Sequence, residues 1–228
     1  MPEPAPLADE SFHAPVLSSE VVYEGRVWDV RRDVVDYDGG SMVREYVDHT
    51  GAVAVLALDD VGRVLLIKQY RHPIRSRDWE LPAGLLDVPG EAPVAAARRE
   101  LAEEADVEAD TWNVLVDLAS TPGGNNEVIR IYLARGVRST GTVFDRYDEE
   151  ADIEVRWVDL DEVVQGVLER RLRNAPLAVA ALAASAARVN GFATLGAADL
   201  PFERGSSLQR ALRPHERASA TDGPQSES

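Results

Sequence analysis

Gly84-Leu-Leu-Asp-Val-Pro-Gly-Glu91 and, shortly after it, Ala97-Arg-Arg-Glu-Leu-Ala-Glu-Glu104 decide the fold of this chain, because together they set a glycine loop ahead of a helix crowded with carboxylates. Glu100, Glu103 and Glu104 stand at i, i+3 and i+4, so all three leave one face of the helix within a single turn. Like charges at that spacing cost an isolated helix about 0.2–0.5 kcal/mol per pair, and something has to offset the repulsion. A hard divalent cation does so; magnesium in particular is held by a few carboxylates together with waters and phosphate oxygens. A solvated acidic face is the plainer alternative for a Glu-x-x-Glu-Glu run taken alone.

The composition agrees with a soluble protein that stays in the cytoplasm, as a cytosolic enzyme would. The 228 residues suit one domain with appendages, and 45% hydrophobic residues suffice for a full core. There is no cysteine, which excludes disulfides, thiolate metal ligands and cysteine nucleophiles. No apolar run approaches the roughly 18 residues of a membrane span, and Met1-Pro-Glu-Pro-Ala-Pro6 is acidic and proline-rich, unlike a signal peptide. With 24 basic against 40 acidic residues the formal net charge is -16, a field that repels nucleic acid and anionic membranes. A small phosphate ester escapes that argument, because a bound cation and a few arginines invert the field inside one pocket.

Working outward from the helix, residues 1–16 and 214–228 are rich in Pro, Ala, Ser and charge and are expected to be disordered tails. The segment 17–50 is expected to form a small antiparallel sheet from strands over 20–23, 27–37 and 42–49, with Asp38-Gly39-Gly40 as a tight turn. The main domain, 51–213, opens with two apolar strands, Gly51-Ala-Val-Ala-Val-Leu-Ala-Leu58 and Arg63-Val-Leu-Leu-Ile-Lys-Gln-Tyr70. Asp59-Asp60-Val61-Gly62 between them signals a hairpin, and the pair should form the buried centre of a larger sheet. Further strands are expected near 112–119, 128–134 and 153–158, and helices over 160–170 and 175–189, the second alanine-rich and apolar enough to pack against the body. The chain carries no internal repeat and no interdomain linker.

The stretch from Gly84 to Val107 resembles the box of the Nudix hydrolases, G-x5-E-x7-R-E-U-x-E-E-x-G-U with U a bulky aliphatic residue. Gly84, Glu91, Arg99, Glu100, Leu101, Glu103, Glu104 and Val107 take the motif positions. Two departures stand out: the first gap holds six residues, Leu85 to Gly90, and the last glycine is Asp106. One extra loop residue adds little closure entropy, and aspartate is among the few residues that visit the left-handed region near a helix end. The resemblance implies an α/β fold, an α/β/α sandwich with a mixed sheet between helices. A small N-terminal antiparallel sheet ahead of it is similar to the ADP-ribose pyrophosphatase branch, where such a sheet exchanges between the subunits of a homodimer; a plain extension of the core sheet is the alternative.

Residues outside the box resemble the same branch. A proline stands sixteen residues beyond the box's last glycine position, here Pro122 in Ser120-Thr-Pro-Gly-Gly124, although proline before glycines is also an ordinary turn. Trp79-Glu-Leu-Pro-Ala-Gly84 and Lys68-Gln-Tyr-Arg71 are similar too. The resemblance implies magnesium, with manganese possible, held by Glu100 and Glu104 with Glu103 assisting and the Ala83 carbonyl contributing. It makes Arg99 and Glu91 a bracing ion pair outside the chemistry. Arg71 would fork onto phosphate oxygens or else make a surface salt bridge. Trp28 would stack on the adenine, a contact worth about 1–3 kcal/mol, with Arg44 as a second contact; a core role for Trp28 is the alternative, and Trp79, Trp112 and Trp157 are expected in the core or at its edge.

The general base of this branch lies on an acidic loop before a late strand. Asp148-Glu-Glu-Ala-Asp152 is the matching segment, with Glu149 or Glu150 as the base and Glu150 preferred; a merely solvated loop is the alternative. His13, His49, His72 and His215 are scattered and offer no other base. The implied reaction is magnesium-dependent cleavage of ADP-ribose to AMP and ribose 5-phosphate by a homodimer. The alternatives are hydrolysis of another nucleoside diphosphate sugar or a dinucleotide, and a non-catalytic sensor that binds ADP-ribose.

Overall fold

The computed structural model describes residues 6–144 and 152–202, and they fall into two compact units. The first runs to His49 and includes Gly123–Asn125. In it β1 (Val16–Tyr23), β2 (Asp29–Tyr37) and β3 (Gly40–Asp48) form an antiparallel meander in the order β1-β2-β3. Tyr37 pairs with Gly40, which leaves Asp38 (φ 52°) and Gly39 (φ 76°) as a two-residue loop with both residues left-handed. That backbone matches the twist of the flanking strands. β2 starts at Asp29 rather than at 27, because the Gly25 N–H donates to Asp29 Oδ1 (3.2 Å) and bends the chain through Trp28. A Cβ at Gly25 would lie 1.9 Å from the Trp28 carbonyl oxygen, so only glycine makes this bend. β1 begins four residues before the expected strand, at Val16, and leaves Val16, Leu17, Val21, Val22 and Tyr23 exposed. The described residues before it carry no regular element.

The second unit contains, in chain order, β4 (Ala52–Leu58), β5 (Arg63–Arg71), β6 (Ser76–Glu80), β7 (Ala83–Leu85), α1 (Pro93–Ala105), β8 (Val107–Ala119), β9 (Val128–Ser139), β10 (Glu154–Asp159), α2 (Leu160–Leu168), α3 (Ala175–Arg188) and β11 (Gly196–Ala197). Its sheet has the order β10-β5-β4-β9-β8-β11, with β6 on β5 and β7 on β4. β4 and β9 run parallel and the other pairs antiparallel, so the sheet is mixed. Every residue of β4 is buried. Its alternate side chains enter opposite layers: Ala52, Ala54, Leu56 and Leu58 pack with Val163 of α2 and Leu177, Ala180, Ala181 and Ala184 of α3, whereas Val53, Val55 and Ala57 pack with Ala96, Ala97 and Leu101 of α1. This is the expected α/β/α sandwich.

One departure shapes the site. β4 and β5 pair only at Leu58 and Val64; beyond that they diverge, and the unanticipated strands β6 and β7 line the two sides of the opening. The Val55 N–H reaches across to the Pro82 carbonyl (2.8 Å), which fixes Ala83–Gly84 beside β4. The helix expected to reach residue 170 stops at Leu168, since Arg170 turns left-handed (φ 63°). At the far edge Arg130, buried on β9, forks onto Asp117 (2.8 Å from both Nε and Nη2), bonds the carbonyls of Leu200 and Pro201, and lies 4.5 Å over the Phe202 ring. It thereby pins the chain after β11. Among the described residues no helix is long and apolar enough to cross a membrane.

Candidate active site

α1 begins with Pro93, whose missing N–H is no loss in a first turn. Ala96, Ala97, Leu101 and Ala105 are its buried face, and Glu104, three residues past Leu101, is drawn under with them at 4% exposure. A buried carboxylate has to be compensated. Part of that comes from the Ala83 N–H, which donates to Glu104 Oε2 at 2.8 Å. Glu100 lies against the next residue: a Cβ built on Gly84 would stand 2.0 Å from its Cδ and Oε1. Gly84 is therefore the notch in β7 that receives the Glu100 carboxylate. The structure thus brings Ala83, Glu100 and Glu104 to one place, where α1 crosses β7.

Arg99 braces the loop on the helix. Its Nε and Nη2 donate to the two oxygens of Glu91 at 3.1 Å each, and its Nη1 to Glu100 Oε1 (2.6 Å) and Glu103 Oε2 (3.2 Å). The Glu91 hydrogen bonds, reinforced by Glu100, hold the guanidinium's pKa above its ordinary value. The extra loop residue is absorbed in a turn, where Gly90 takes φ 78° and the Glu91 N–H bonds the Val88 carbonyl (3.2 Å). Among the described residues no three His, Asp or Glu side chains stand together as a metal cluster, in keeping with Arg99 taking Glu100 and Glu103. The donor chemistry still suits a hard divalent cation: the carboxylates are oxygen donors, and two of them, one buried, converge on the Ala83–Gly84 backbone.

Asp106 caps the same helix. It is left-handed (φ 54°, ψ 34°), as its sequence position suggested, and its N–H returns to the Ala102 carbonyl. A carboxylate at a helix C-terminus opposes the helix dipole by about 0.3–1 kcal/mol, so the position does not favour aspartate for its own sake. The side chain has a use: Asp106 Oδ1 accepts the Phe144 N–H at 2.8 Å, and the Asp106 carbonyl accepts from Thr140 N (3.0 Å) and Thr140 Oγ1 (3.3 Å).

The remaining candidates are distributed differently. Arg71 ends β5 engaged with Glu80, its Nε 3.0 Å from Oε1 and its Nη2 2.7 Å from Oε2; Glu80 is 4% exposed and within 3.5 Å of Gln69 Nε2. Glu80 was not anticipated, since a buried charge in a short strand gives no periodic signal. Trp28 stacks on His49, with centroids 4.0 Å apart and planes at 20°. Arg44 is exposed and opposite Asp33, some four strand residues from the Trp28 end of the sheet, roughly 13 Å by strand rise. The chain does not bring these two together. Pro122 is exposed in the turn before Gly123. Trp112 is core, edge-on to Tyr132, and Trp79 and Trp157 are partly buried against the two clusters. Glu149 and Glu150 lie outside the described residues.

A model of the NUDIX domain matches residues 48–179. The chain is 44% identical over 188 residues to the ADP-ribose pyrophosphatase of Mycobacterium tuberculosis (strain ATCC 25618 / H37Rv), covering 82% of this chain and 89% of that protein. It is 32% identical over 170 residues to the methanol dehydrogenase activator of Bacillus methanolicus, covering 74% and 91%. A crystal structure of an ADP compounds hydrolase shares the fold, with a TM-score of 0.65 at 23% identity over 80% of this chain and 99% of the other. Enzymes with this domain generally use a divalent metal ion. With the domain match spanning more than half the chain and the box folded as a loop and helix on the mixed sheet, this chain belongs to the Nudix hydrolase family.

Proposed function

We propose that this protein hydrolyses the diphosphate bond of ADP-ribose to AMP and ribose 5-phosphate, as a cytoplasmic homodimer using magnesium, with manganese as a substitute. The observation that carries the reaction class is the convergence of Glu100 and Glu104 on Ala83–Gly84. The choice of substrate is supported by the likeness to the mycobacterial ADP-ribose pyrophosphatase. The cysteine-free composition suits a reducing compartment, and the exposed apolar residues of β1 support pairing with a second copy.

A diphosphate resists hydrolysis because its oxygens repel an incoming nucleophile. Glu100, Glu104 and the Ala83 carbonyl would hold the ion, with Glu103 assisting; when bound it neutralises phosphate charge and lowers the pKa of water. Arg71 presents a planar fork to phosphate oxygens, and Glu80 fixes the orientation of that fork. Trp28 stacks on the base, Arg44, roughly 13 Å along the strands from it, adds a polar contact to a different part of the substrate, and Pro122 sets the turn bordering the substrate. Glu150, or Glu149, takes the proton from the attacking water.

The test is AMP release from ADP-ribose with magnesium by the wild type and by Glu104→Gln, with ADP-glucose and a dinucleotide as competing substrates. Loss of AMP in the variant supports the reading. Preference for either competitor overturns the substrate, and ADP-ribose binding without turnover of anything replaces the enzyme with a sensor. Gel filtration giving a fully active monomer would refute the dimer.

A further inference from the structure

We propose that His49 is a positioning residue for the base of a nucleoside diphosphate: its imidazole backs the indole of Trp28 and sets the plane onto which a purine stacks. The inference rests on the reading of Trp28 as the base-stacking residue and deepens it by naming the group that orients the indole. The two rings lie 4.0 Å apart with 20° between their planes, and both residues are only partly buried. An indole at a surface turns among several rotamers, each aiming its face elsewhere, and a second ring laid on it selects one. Near-parallel rings also present a common plane, so a base added to them continues a column. Phe12 and Tyr37, at the other end of β2, meet edge-on instead, 6.0 Å apart at 88°. That arrangement packs two rings without making such a plane.

The backbone brings the rings together from both strands. Asp29 and Asp48 are the last partners of the β2–β3 ladder, so Trp28 before the one and His49 after the other are the next residues outward. Side chains in such cross-strand positions are within reach of each other. The Trp28 main chain is fixed by the bend at Gly25, whose N–H bonds Asp29 Oδ1 and whose approach to the Trp28 carbonyl admits no Cβ. His49 follows a strand end that is itself tied down: the Val47 N–H donates to the Gly124 carbonyl (3.0 Å), and Val47 bridges Asn125. With both main chains held, what the stack decides is the direction the indole faces. Arg44 pairs with Asp33 further along the ladder and does not share in this.

The experiment measures equilibrium binding of AMP, and of ribose 5-phosphate, which has no base, to the full-length wild type, His49→Ala, His49→Phe and Trp28→Ala, with steady-state hydrolysis of ADP-ribose alongside. His49→Ala should weaken AMP about 2- to 12-fold, the factor for freezing one mobile side chain on binding, and leave ribose 5-phosphate unchanged. The KM for ADP-ribose should rise by the same factor while kcat stays within about twofold. Phenylalanine supplies another flat ring and should restore both. Trp28→Ala removes the stack itself and should weaken AMP about 5- to 150-fold. AMP affinity in His49→Ala equal to the wild type overturns the proposal, and so does a higher affinity, because the imidazole then competes with the base. An equal loss for AMP and ribose 5-phosphate overturns it as well, since it marks a role in the fold, and a phenylalanine variant no better than alanine shows that stacking is not the means. If Trp28→Ala keeps wild-type AMP affinity, or the wild type binds no AMP, the base-stacking role of Trp28 in the proposed function fails and this inference falls with it; a failure confined to the His49 variants leaves that role standing.

Discussion

Gly84→Ala separates the site from the fold more cleanly than any carboxylate substitution. Gly84 is not among the positive-φ glycines, so its backbone admits alanine. The new Cβ would nevertheless stand 2.0 Å from Glu100 Cδ and Oε1 and 2.5 Å from its Cγ, where ordinary contact begins at 3.4 Å. The carboxylate must retreat by about 1.4 Å, the difference between those two distances. Glu100 is a flexible side chain, so the fold loses little: about 0.5–1.5 kcal/mol for an off-rotamer torsion and about 0–1 kcal/mol from the solvent-screened bond to Arg99. In a chain of this size that amounts to a melting shift of about 1–10 °C. The site should lose far more, because a displacement near 1 Å costs about 100-fold in rate, close to 2.7 kcal/mol of barrier. The assay is AMP release against magnesium concentration, alongside thermal melts, for Gly84→Ala, Glu100→Gln and the double variant. Both changes remove the same carboxylate from the same place, so their losses should not add. Turnover within about twofold of wild type, or additive losses, would show that the Gly84 notch does not set the position of the Glu100 carboxylate for catalysis.

Two further predictions concern stability. Arg130→Ala removes the buried partner of a half-exposed ion pair; breaking a pair costs about 3–5 kcal/mol when both groups are buried. Asp117 is 40% exposed and remains solvated, so the loss should be nearer about 2–3 kcal/mol, read as a lower urea midpoint; an unchanged midpoint would remove Arg130's anchoring role. Tyr46 is pushed up to about 12, first by burial and then by its hydrogen bond to Asp33. Its folded pKa lies above the ordinary 10.0, so its contribution is complete below the ordinary value and is lost as pH rises through the folded one. Denaturation curves across that alkaline range should show wild-type stability falling more steeply than that of Tyr46→Phe, and parallel slopes would contradict the assignment.

What was legible in the sequence was local. Asp38-Gly39 announced a hairpin because only residues that accept a left-handed backbone close so short a turn. The apolar runs of β4 and β5 announced a buried sheet centre, the spacing of Glu100, Glu103 and Glu104 put three carboxylates on one helix face, and the resemblance to the Nudix box implied the Glu91–Arg99 brace. The strands β6, β7 and β11 were not legible. β6 mixes charged residues with Trp79, and β7 and β11 have three and two residues, too few for a period to register. The same limit hid Glu80, which stands opposite Ile67 in the β5–β6 ladder and whose buried carboxylate is met by the Arg71 side chain. Asp106 was legible as a left-handed cap, but its bond to Phe144 joins residues 38 apart in sequence and has no local signature.

The central strand sets an order of events on the ribosome. Ala52–Leu58 emerges long before its parallel partner, which begins at Val128 and does not exist until the whole stretch between them has been made. Non-local pairing of this kind is slow and leaves an apolar strand at risk of wrong partners. α1 arrives early enough to shelter the side bearing Val53 and Val55, whereas the side bearing Ala54 and Leu56 waits for α3, beyond residue 175. Asp59 and Asp60, directly after the strand, are placed to discourage edge association in that interval. A nascent chain stalled before Ala175 would leave that sheet face covered by α2 alone, and the interval between the synthesis of Val128 and that of Arg188 is when this protein should depend most on chaperones.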